Sequence, residues 1–235
     1  MKRVICSMVA MAGIVLLGMP GMVLGEQPAG VGKNFDIPVQ LAVRLGMALT
    51  KDLKATPEET DKRITAFSVF VVENMKGPGS IVGLIEKAVN NPKVLEPDGG
   101  VVLGVDPSCI DYCRGILKNE ISCVVDKWQW CRNDAYQNCN SCCTTTPSGS
   151  TACGPSESCG GLSGGPFSRC MTPCTRDCTA PLYAIYDSAF HANIHSVWCE
   201  AIMCYCSCGI PSPVCGSLPA TCPPPVICPP PMTCP

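Results

Sequence analysis

The chain has 235 residues, with 17 basic and 19 acidic side chains, a formal charge of −2 and 21 cysteines. Its cationic side chains form no cluster or stripe, which disfavours nucleic acid and anionic membrane surfaces as partners, since both select clustered positive charge. The cysteine content is far above that of proteins in reducing compartments and is typical of a disulfide-stapled protein in an oxidising environment.

Residues 1–25 have the pattern of a secretory signal peptide. Lys2 and Arg3 precede an uncharged, mostly apolar run that ends at Leu24, and Glu26 follows directly after Gly25. We therefore predict cleavage after Gly25 and an exported protein that is periplasmic, at the cell surface or extracellular. The alternative is retention of this segment, in which case the uncharged run would contact or span a membrane.

Cleavage would also remove Cys6 and leave twenty cysteines, an even number that a complete disulfide framework requires. All of them lie between Cys109 and Cys234, and residues 26–108 contain none. The predicted framework consists of Cys109, Cys113, Cys123, Cys131, Cys139, Cys142, Cys143, Cys153, Cys159, Cys170, Cys174, Cys178, Cys199, Cys204, Cys206, Cys208, Cys215, Cys222, Cys228 and Cys234.

Residues 26–105 predict a small helical domain without cysteines. Apolar residues recur every three or four positions from Val39 to Leu53, which indicates a helix with one buried face. The sequence Thr56-Pro57-Glu58-Glu59 then predicts the start of a second helix, because the Thr56 hydroxyl and the Glu59 carboxylate can each satisfy a free amide.

Glycine and proline predict where these helices end. Gly77 suits a left-handed cap, and Pro78 prevents the second helix from continuing. A third, shorter helix is predicted to begin at Ser80 and to end before Pro92.

Residues 106–210 predict a cysteine-rich, disulfide-stapled domain of helices and loops. Cysteines and apolar residues alternate at steps of three or four from Cys109 to Cys142, which indicates a helix with cysteines at core positions. Cysteines four positions apart lie on one helix face. A pair such as Cys109 and Cys113 is therefore predicted to staple its helix to a neighbour at two successive turns.

Loop-forming residues dominate the stretch after this helix. Residues 144–168 are mostly Gly, Ser, Thr and Pro and predict a connector that Cys153 and Cys159 hold. We expect a loop or short turn around Pro173 and a last helix over 182–205.

Residues 211–235 predict an extended tail rich in proline and cysteine. Triple prolines favour polyproline II, in which cysteines six residues apart lie on one edge at about 3.1 Å per residue, too far apart to bond to each other. We hypothesise that Cys222, Cys228 and Cys234 form a covalent tether, either to their own domain or between chains. The alternative is a disordered tail with incidental thiols.

The final predicted helix carries one candidate metal site. Asp187, His191, His195 and Cys199 follow one another at intervals of four, so adjacent members share a helix face, and the two histidines could bind copper or zinc with a third ligand. The row is too long for all four to bind one ion. The cysteine clusters at 139–143 and 204–208 are a second candidate metal site if their thiols are reduced. Export favours disulfides at these positions instead.

The motifs give little support for an enzyme. Gly161-Leu-Ser-Gly-Gly165 matches the pattern of a nucleophile elbow, but it lies in the Gly/Ser-rich connector and not after a strand. The sequence thus predicts a mainly α, exported structural or interaction protein without a cofactor, whose partners are other protein chains or its own copies through intermolecular disulfides. The alternative is an exported metal-binding or redox protein that uses copper or zinc.

Overall fold

The computed structural model describes residues 36–75, 80–96 and 106–217, and this part of the chain is mainly helical. Five α-helices follow one another as α1 Val39–Thr50, α2 Pro57–Asn74, α3 Ile81–Asn90, α4 Pro107–Thr145 and α5 Gly164–Ser207. Short 3-10 helices occupy Pro92–Leu95 and Pro213–Ser217. Within these residues the only β-type pairing is an isolated bridge between Pro147 and Gly160. The predicted fold class is confirmed.

The predicted helix starts are confirmed by their capping contacts. The Thr56 hydroxyl accepts a hydrogen bond from the Glu59 amide at 3.2 Å, and the Glu59 carboxylate accepts one from the Thr56 amide at 3.0 Å. The bond from the Thr56 amide is the main cause that holds the pKa of Glu59 below its usual range, and the hydrogen bond and charge of Lys51 lower it further. Ser80 caps α3 by accepting from the Gly83 amide at 3.1 Å. The predicted stop at 77–78 lies outside the described residues.

Helix α1 ends earlier than the apolar pattern predicted. The pattern continued to Leu53, but the helix ends at Thr50, and Lys51, Asp52 and Leu53 all have positive φ angles of 46°, 55° and 69°. Leu53 still packs against the core, although it does so from a left-handed turn. The apolar periodicity therefore located a buried side chain correctly while misplacing the end of the helix.

Helices α1 to α3 share one core with parts of α4 and α5. Phe67 on α2 meets Trp198 on α5 edge to face, with ring centroids 5.6 Å apart. On α1, a Cβ at Gly46 would lie 2.9 Å from the Trp128 ring and 3.1 Å from Phe190, so glycine allows this close approach. The boundary predicted at residue 105 lies outside the described residues and stays a prediction.

Two compact units are distinguished by their internal contacts. In the described chain, one comprises residues 140–178, and the other comprises the remaining described residues. Helices α4 and α5 each contribute to both units. The smaller unit has its own buried cluster, which consists of Cys143, Cys153, Cys159 and Cys174.

Helix α5 begins eighteen residues before the predicted last helix, at Gly164 instead of residue 182. The loop predicted around Pro173 is therefore wrong. A proline inside a helix removes one hydrogen bond and costs about 3 kcal/mol. Disulfides at Cys170 and Cys174 flank this proline, and one disulfide typically contributes about 2–4 kcal/mol, enough to offset that cost.

No helix in the described ranges combines the length and the apolar character needed to cross a lipid bilayer. The predicted signal peptide and residues 218–235 of the predicted tail lie outside these ranges, whereas Pro213–Ser217 of the tail form a 3-10 helix and not an extended segment.

Candidate functional site

The chemistry of this chain is concentrated in its disulfides, and the first group ties α4 to α5. Cys109 bonds to Cys208 and Cys113 bonds to Cys204, with Cα–Cα distances of 5.7 and 5.6 Å. As the partners run in opposite directions along the two helices, α4 and α5 are antiparallel here. The predicted stapling at two successive turns is confirmed, and the structure adds the identity of the partner helix.

Three sulfur atoms of these two staples lie together. The sulfurs of Cys109, Cys113 and Cys208 are all within 4.8 Å of one another, and Cys113 Sγ lies 3.4 Å from Cys208 Sγ. In the described residues this is the only group of three or more potential metal ligands drawn from His, Cys, Asp and Glu. Each sulfur is held in a disulfide, so the thiolates that a soft metal needs would form only after reduction.

A second group of disulfides organises residues 140–178. Three bonds close around the predicted connector, with Cα–Cα distances of 5.8, 6.1 and 5.8 Å. They are Cys142–Cys153, Cys143–Cys174 and Cys159–Cys170. The connector is thus fixed at both ends and to α5, and the prediction that Cys153 and Cys159 hold it is confirmed.

Backbone contacts fix the same connector against the end of α4. The Cys159 amide donates to the Cys143 carbonyl at 2.8 Å, and the Gly160 amide donates to the Thr146 carbonyl at 2.9 Å. A side chain at Gly160 would overlap the Thr146 carbonyl, so this crossing requires glycine. Ser156 also donates a hydrogen bond to Asp177 on α5.

A further disulfide joins Cys206 to Cys215 and holds the 3-10 segment against the end of α5. Cys123, Cys131, Cys139, Cys178 and Cys199 are disulfide-bonded as well. All seventeen cysteines in the described ranges are therefore oxidised. The protein is an oxidised, cysteine-rich protein, and this state indicates an oxidising environment outside the cytoplasm, extracellular or periplasmic.

The four residues of the predicted metal row have different surroundings along α5. Asp187 pairs with Arg132, His191 Nε2 is hydrogen-bonded to the Ile37 carbonyl, and Cys199 is in a disulfide. The Nε2 atom of His195 is buried without a hydrogen-bond partner among the described residues. Burial is the main cause that lowers the pKa of His195, and the neighbouring His191 lowers it further.

These contacts do not bring three ligand atoms of the row together around one point. A site formed by His191 and His195 alone would have to compete with the carbonyl that already holds His191. Metal binding by this pair stays a prediction.

The structure also contains a buried polar cluster that the sequence analysis missed. Asp187 Oδ1 accepts hydrogen bonds from Arg132 Nη1 at 2.6 Å and from Trp128 Nε1 at 2.8 Å. The Arg132 guanidinium carbon lies 3.9 Å from the centroid of the Tyr183 ring and 5.0 Å from that of Trp128. Only 8% of Arg132 is exposed. The cluster therefore joins the two long helices by a charge pair sheltered between aromatic rings.

One signal in the sequence could have indicated this cluster. Arg132 follows Trp128 by four residues and lies within the apolar stripe of the predicted α4 helix. A charged residue on a buried face requires a partner of opposite charge.

Ser163 directly precedes Gly164, the first residue of α5. A helix therefore does follow the Gly-x-Ser-x-Gly pattern, contrary to expectation, but the described residues contain no strand that could precede it. The geometry lacks the strand-to-helix turn that exposes a nucleophilic serine.

No model of a known protein family, no curated protein and no solved structure matches this chain.

Proposed function

We propose that this chain is an exported structural or interaction protein of the cell surface, the envelope or an extracellular assembly. The observation that carries the proposal is the oxidation of every cysteine in the described ranges. These cysteines serve as cross-links, and the bonded pairs join α4 to α5, the connector to α5 and the 3-10 segment to α5. Such a framework favours durability over catalysis, because oxidised sulfurs are neither nucleophiles nor metal ligands.

The disulfides also support an extracytoplasmic location. A cross-link between residues far apart in sequence, such as Cys109 and Cys208, restricts the unfolded chain most and can contribute a few kcal/mol. This gain exists only where the bond remains oxidised. Export through the signal peptide of residues 1–25 would supply that condition.

We further propose that the tail cross-links copies of the chain. Cys222, Cys228 and Cys234 are separated by proline-rich spacers that keep neighbouring thiols apart, so bonds to other chains are favoured over bonds within the tail. Covalent assembly would give a surface layer or filament resistance to dissociation.

Gel electrophoresis of the exported full chain without reductant tests this assembly. We expect covalent oligomers that collapse to monomers when a thiol reductant is added, and a C222S/C228S/C234S variant that stays monomeric. The matched control is C206S/C215S, which removes a bond of the described fold and should still form oligomers. Wild-type protein that migrates only as a monomer would overturn intermolecular cross-linking.

A second candidate function, binding of a soft metal ion, is favoured by the three-sulfur group of Cys109, Cys113 and Cys208. Reduction of the two staples would convert it into a thiolate site suited to Cu(I) or Zn²⁺. Metal analysis of protein purified anaerobically tests this alternative. Stoichiometric copper or zinc lost in the C109S/C113S variant would support it, and protein free of both metals would refute it.

A further inference from the structure

A groove of about 590 Å³ lies between α1, α2, α3 and the 3-10 segment that follows α3. Its floor is apolar and includes Met47, Val89 and Leu95. Pockets for small organic ligands typically have volumes of about 300–1,000 Å³ and combine an apolar lining with a few polar groups. The size and the floor of this groove are therefore suited to a small molecule with an apolar body.

Three cationic side chains, Arg44, Lys51 and Arg63, line the same groove, and Asp52 is the only acidic one. Lys51 is paired with Glu59 at 3.3 Å, so the excess positive charge of the lining comes from Arg44 and Arg63, although the whole chain has a net charge of −2. We name this feature the basic groove. Its electrostatic character is opposite to that of the protein and favours an anionic ligand.

The two arginines of the basic groove are held in place by neutral acceptors. Arg44 Nη2 donates to Asn90 Oδ1 at 2.6 Å, and Arg63 Nη1 donates to the Ala48 carbonyl at 3.0 Å. Neither bond neutralises the positive charge. Because a guanidinium has five N–H donors in a planar fork, one anchoring bond fixes its position and leaves other donors that can bind a carboxylate.

The turn that carries Lys51 and Asp52 into the lining is conformationally costly. Lys51, Asp52 and Leu53 are three consecutive non-glycine residues with positive φ, a conformation that costs about 1–2 kcal/mol for each residue. Two amides of the turn, from Lys51 and Asp52, donate to the Met47 carbonyl, and Thr50 Oγ1 accepts from the Leu53 amide at 3.3 Å. Such conformations are frequently retained at ligand-binding positions.

We propose that the basic groove binds an amphiphilic organic anion, with a carboxylate head at Arg44 and Arg63 and an apolar chain against Met47 and Leu95. Planar, bidentate recognition by guanidinium favours a carboxylate head, and the apolar floor gives a chain of several carbons a surface to cover. Nucleic acids are disfavoured, because three cations in one groove form no extended stripe that could follow a phosphate backbone.

Calorimetric titration of the oxidised full chain with octanoate tests this site. We expect saturable binding that weakens as the salt concentration rises, and no comparable binding of 1-octanol, which has the chain without the charge. The R44M/R63M variant should bind octanoate at least tenfold more weakly. The matched control R169M removes an exposed cation outside the groove and should leave the affinity unchanged.

A second measurement does not depend on a variant that may be perturbed in folding. In protein labelled at the methionine methyl groups, the Met47 resonance should shift on addition of octanoate and saturate at the calorimetric affinity. Assignment by M47L identifies this resonance. The proposal would be overturned if octanoate and octanol bound equally well, or if R44M/R63M bound octanoate with unchanged affinity. It would also be overturned if octyl phosphate bound in preference to octanoate, or if the Met47 signal did not move.

Discussion

The Sγ atom of Cys113 lies 3.4 Å from the Sγ atom of Cys208, although each sulfur is bonded to a different partner. Two staples between the same pair of helices are thus close enough for an exchange of partners. A thiolate at Cys113 could attack Cys208, form a Cys113–Cys208 bond and release Cys109 as a thiolate, with no net oxidation.

The C204S variant tests this proximity because it leaves Cys113 without its partner. We expect peptide mapping at mildly alkaline pH to find a fraction with the Cys113–Cys208 bond and a free Cys109. The control C215S frees Cys206, whose sulfur is outside the three-sulfur group, and should leave the Cys109–Cys208 bond intact. An unchanged Cys109–Cys208 bond in C204S after long incubation would contradict the observed approach.

The buried charge pair between Arg132 and Asp187 predicts a large effect of D187N on stability. The substitution leaves the Arg132 guanidinium buried without a counter-charge, which should lower the free energy of unfolding by about 3 kcal/mol. Chemical denaturation of oxidised protein measures this change.

The exposed pair of Glu58 and Lys62 supplies a matched comparison on α2. Because water screens this exposed pair, E58Q should leave the free energy of unfolding almost unchanged. Equal losses of unfolding free energy in D187N and E58Q would show that the buried pair of Arg132 and Asp187 stabilises the fold no more than the exposed pair does.

Tyr205 predicts a stabilising substitution. Its side chain is fully buried, its hydroxyl has no hydrogen-bond partner among the described residues, and burial raises its pKa strongly. Y205F removes a polar group that lost its hydration on folding, so the free energy of unfolding should rise by about 1 kcal/mol. A lower melting temperature of Y205F would show that the hydroxyl makes a stabilising contact and would contradict this prediction.

Glu120 and Glu200 predict a pH dependence of stability. The pKa of Glu120 is raised from 4.5 to about 7, and burial is the main cause. The charge of Glu200 and a hydrogen bond with Glu200 act in the same direction. Between these values the folded protein binds more protons at Glu120 than the unfolded chain does. This group therefore lowers the free energy of unfolding as pH rises through the window from 4.5 to about 7.

Denaturation of wild-type protein and of E120Q at several pH values isolates the contribution of Glu120 to the pH dependence of the free energy of unfolding. After allowance for solvent screening, the free energy of unfolding of wild-type protein should fall across the window by about 1 kcal/mol more than that of E120Q. The E200Q variant should retain only the part of this pH dependence that is due to the burial of Glu120. Parallel curves for wild type and E120Q would contradict the assigned pKa.

Local signals predicted much of the helical structure. The Thr56–Glu59 capping box and the pairing potential of Cys109 and Cys113 depend on residues close in sequence, and both predictions are confirmed. The loop prediction around Pro173 was wrong because a local rule on proline omits distant cross-links such as Cys143–Cys174.

Contacts between distant residues could not be predicted from the same signals. The choice of Cys204 as the partner of Cys113 depends on the antiparallel register of two long helices, and 91 residues separate the two cysteines. The pair of Arg132 and Asp187 is likewise determined by that register. Spacing alone placed Asp187 in a metal row, whereas tertiary packing places its carboxylate against Arg132 and Trp128.

The fold depends on the oxidation of its cysteines, and mass spectrometry after alkylation measures that oxidation state in the native protein. Protein purified from the exported fraction is unfolded in iodoacetamide without reductant, and its adducts are then mapped to individual cysteines. We expect no adduct on any of the seventeen cysteines in the described ranges, and full labelling after prior reduction. Adducts throughout the framework, in a protein that still unfolds cooperatively, would contradict it.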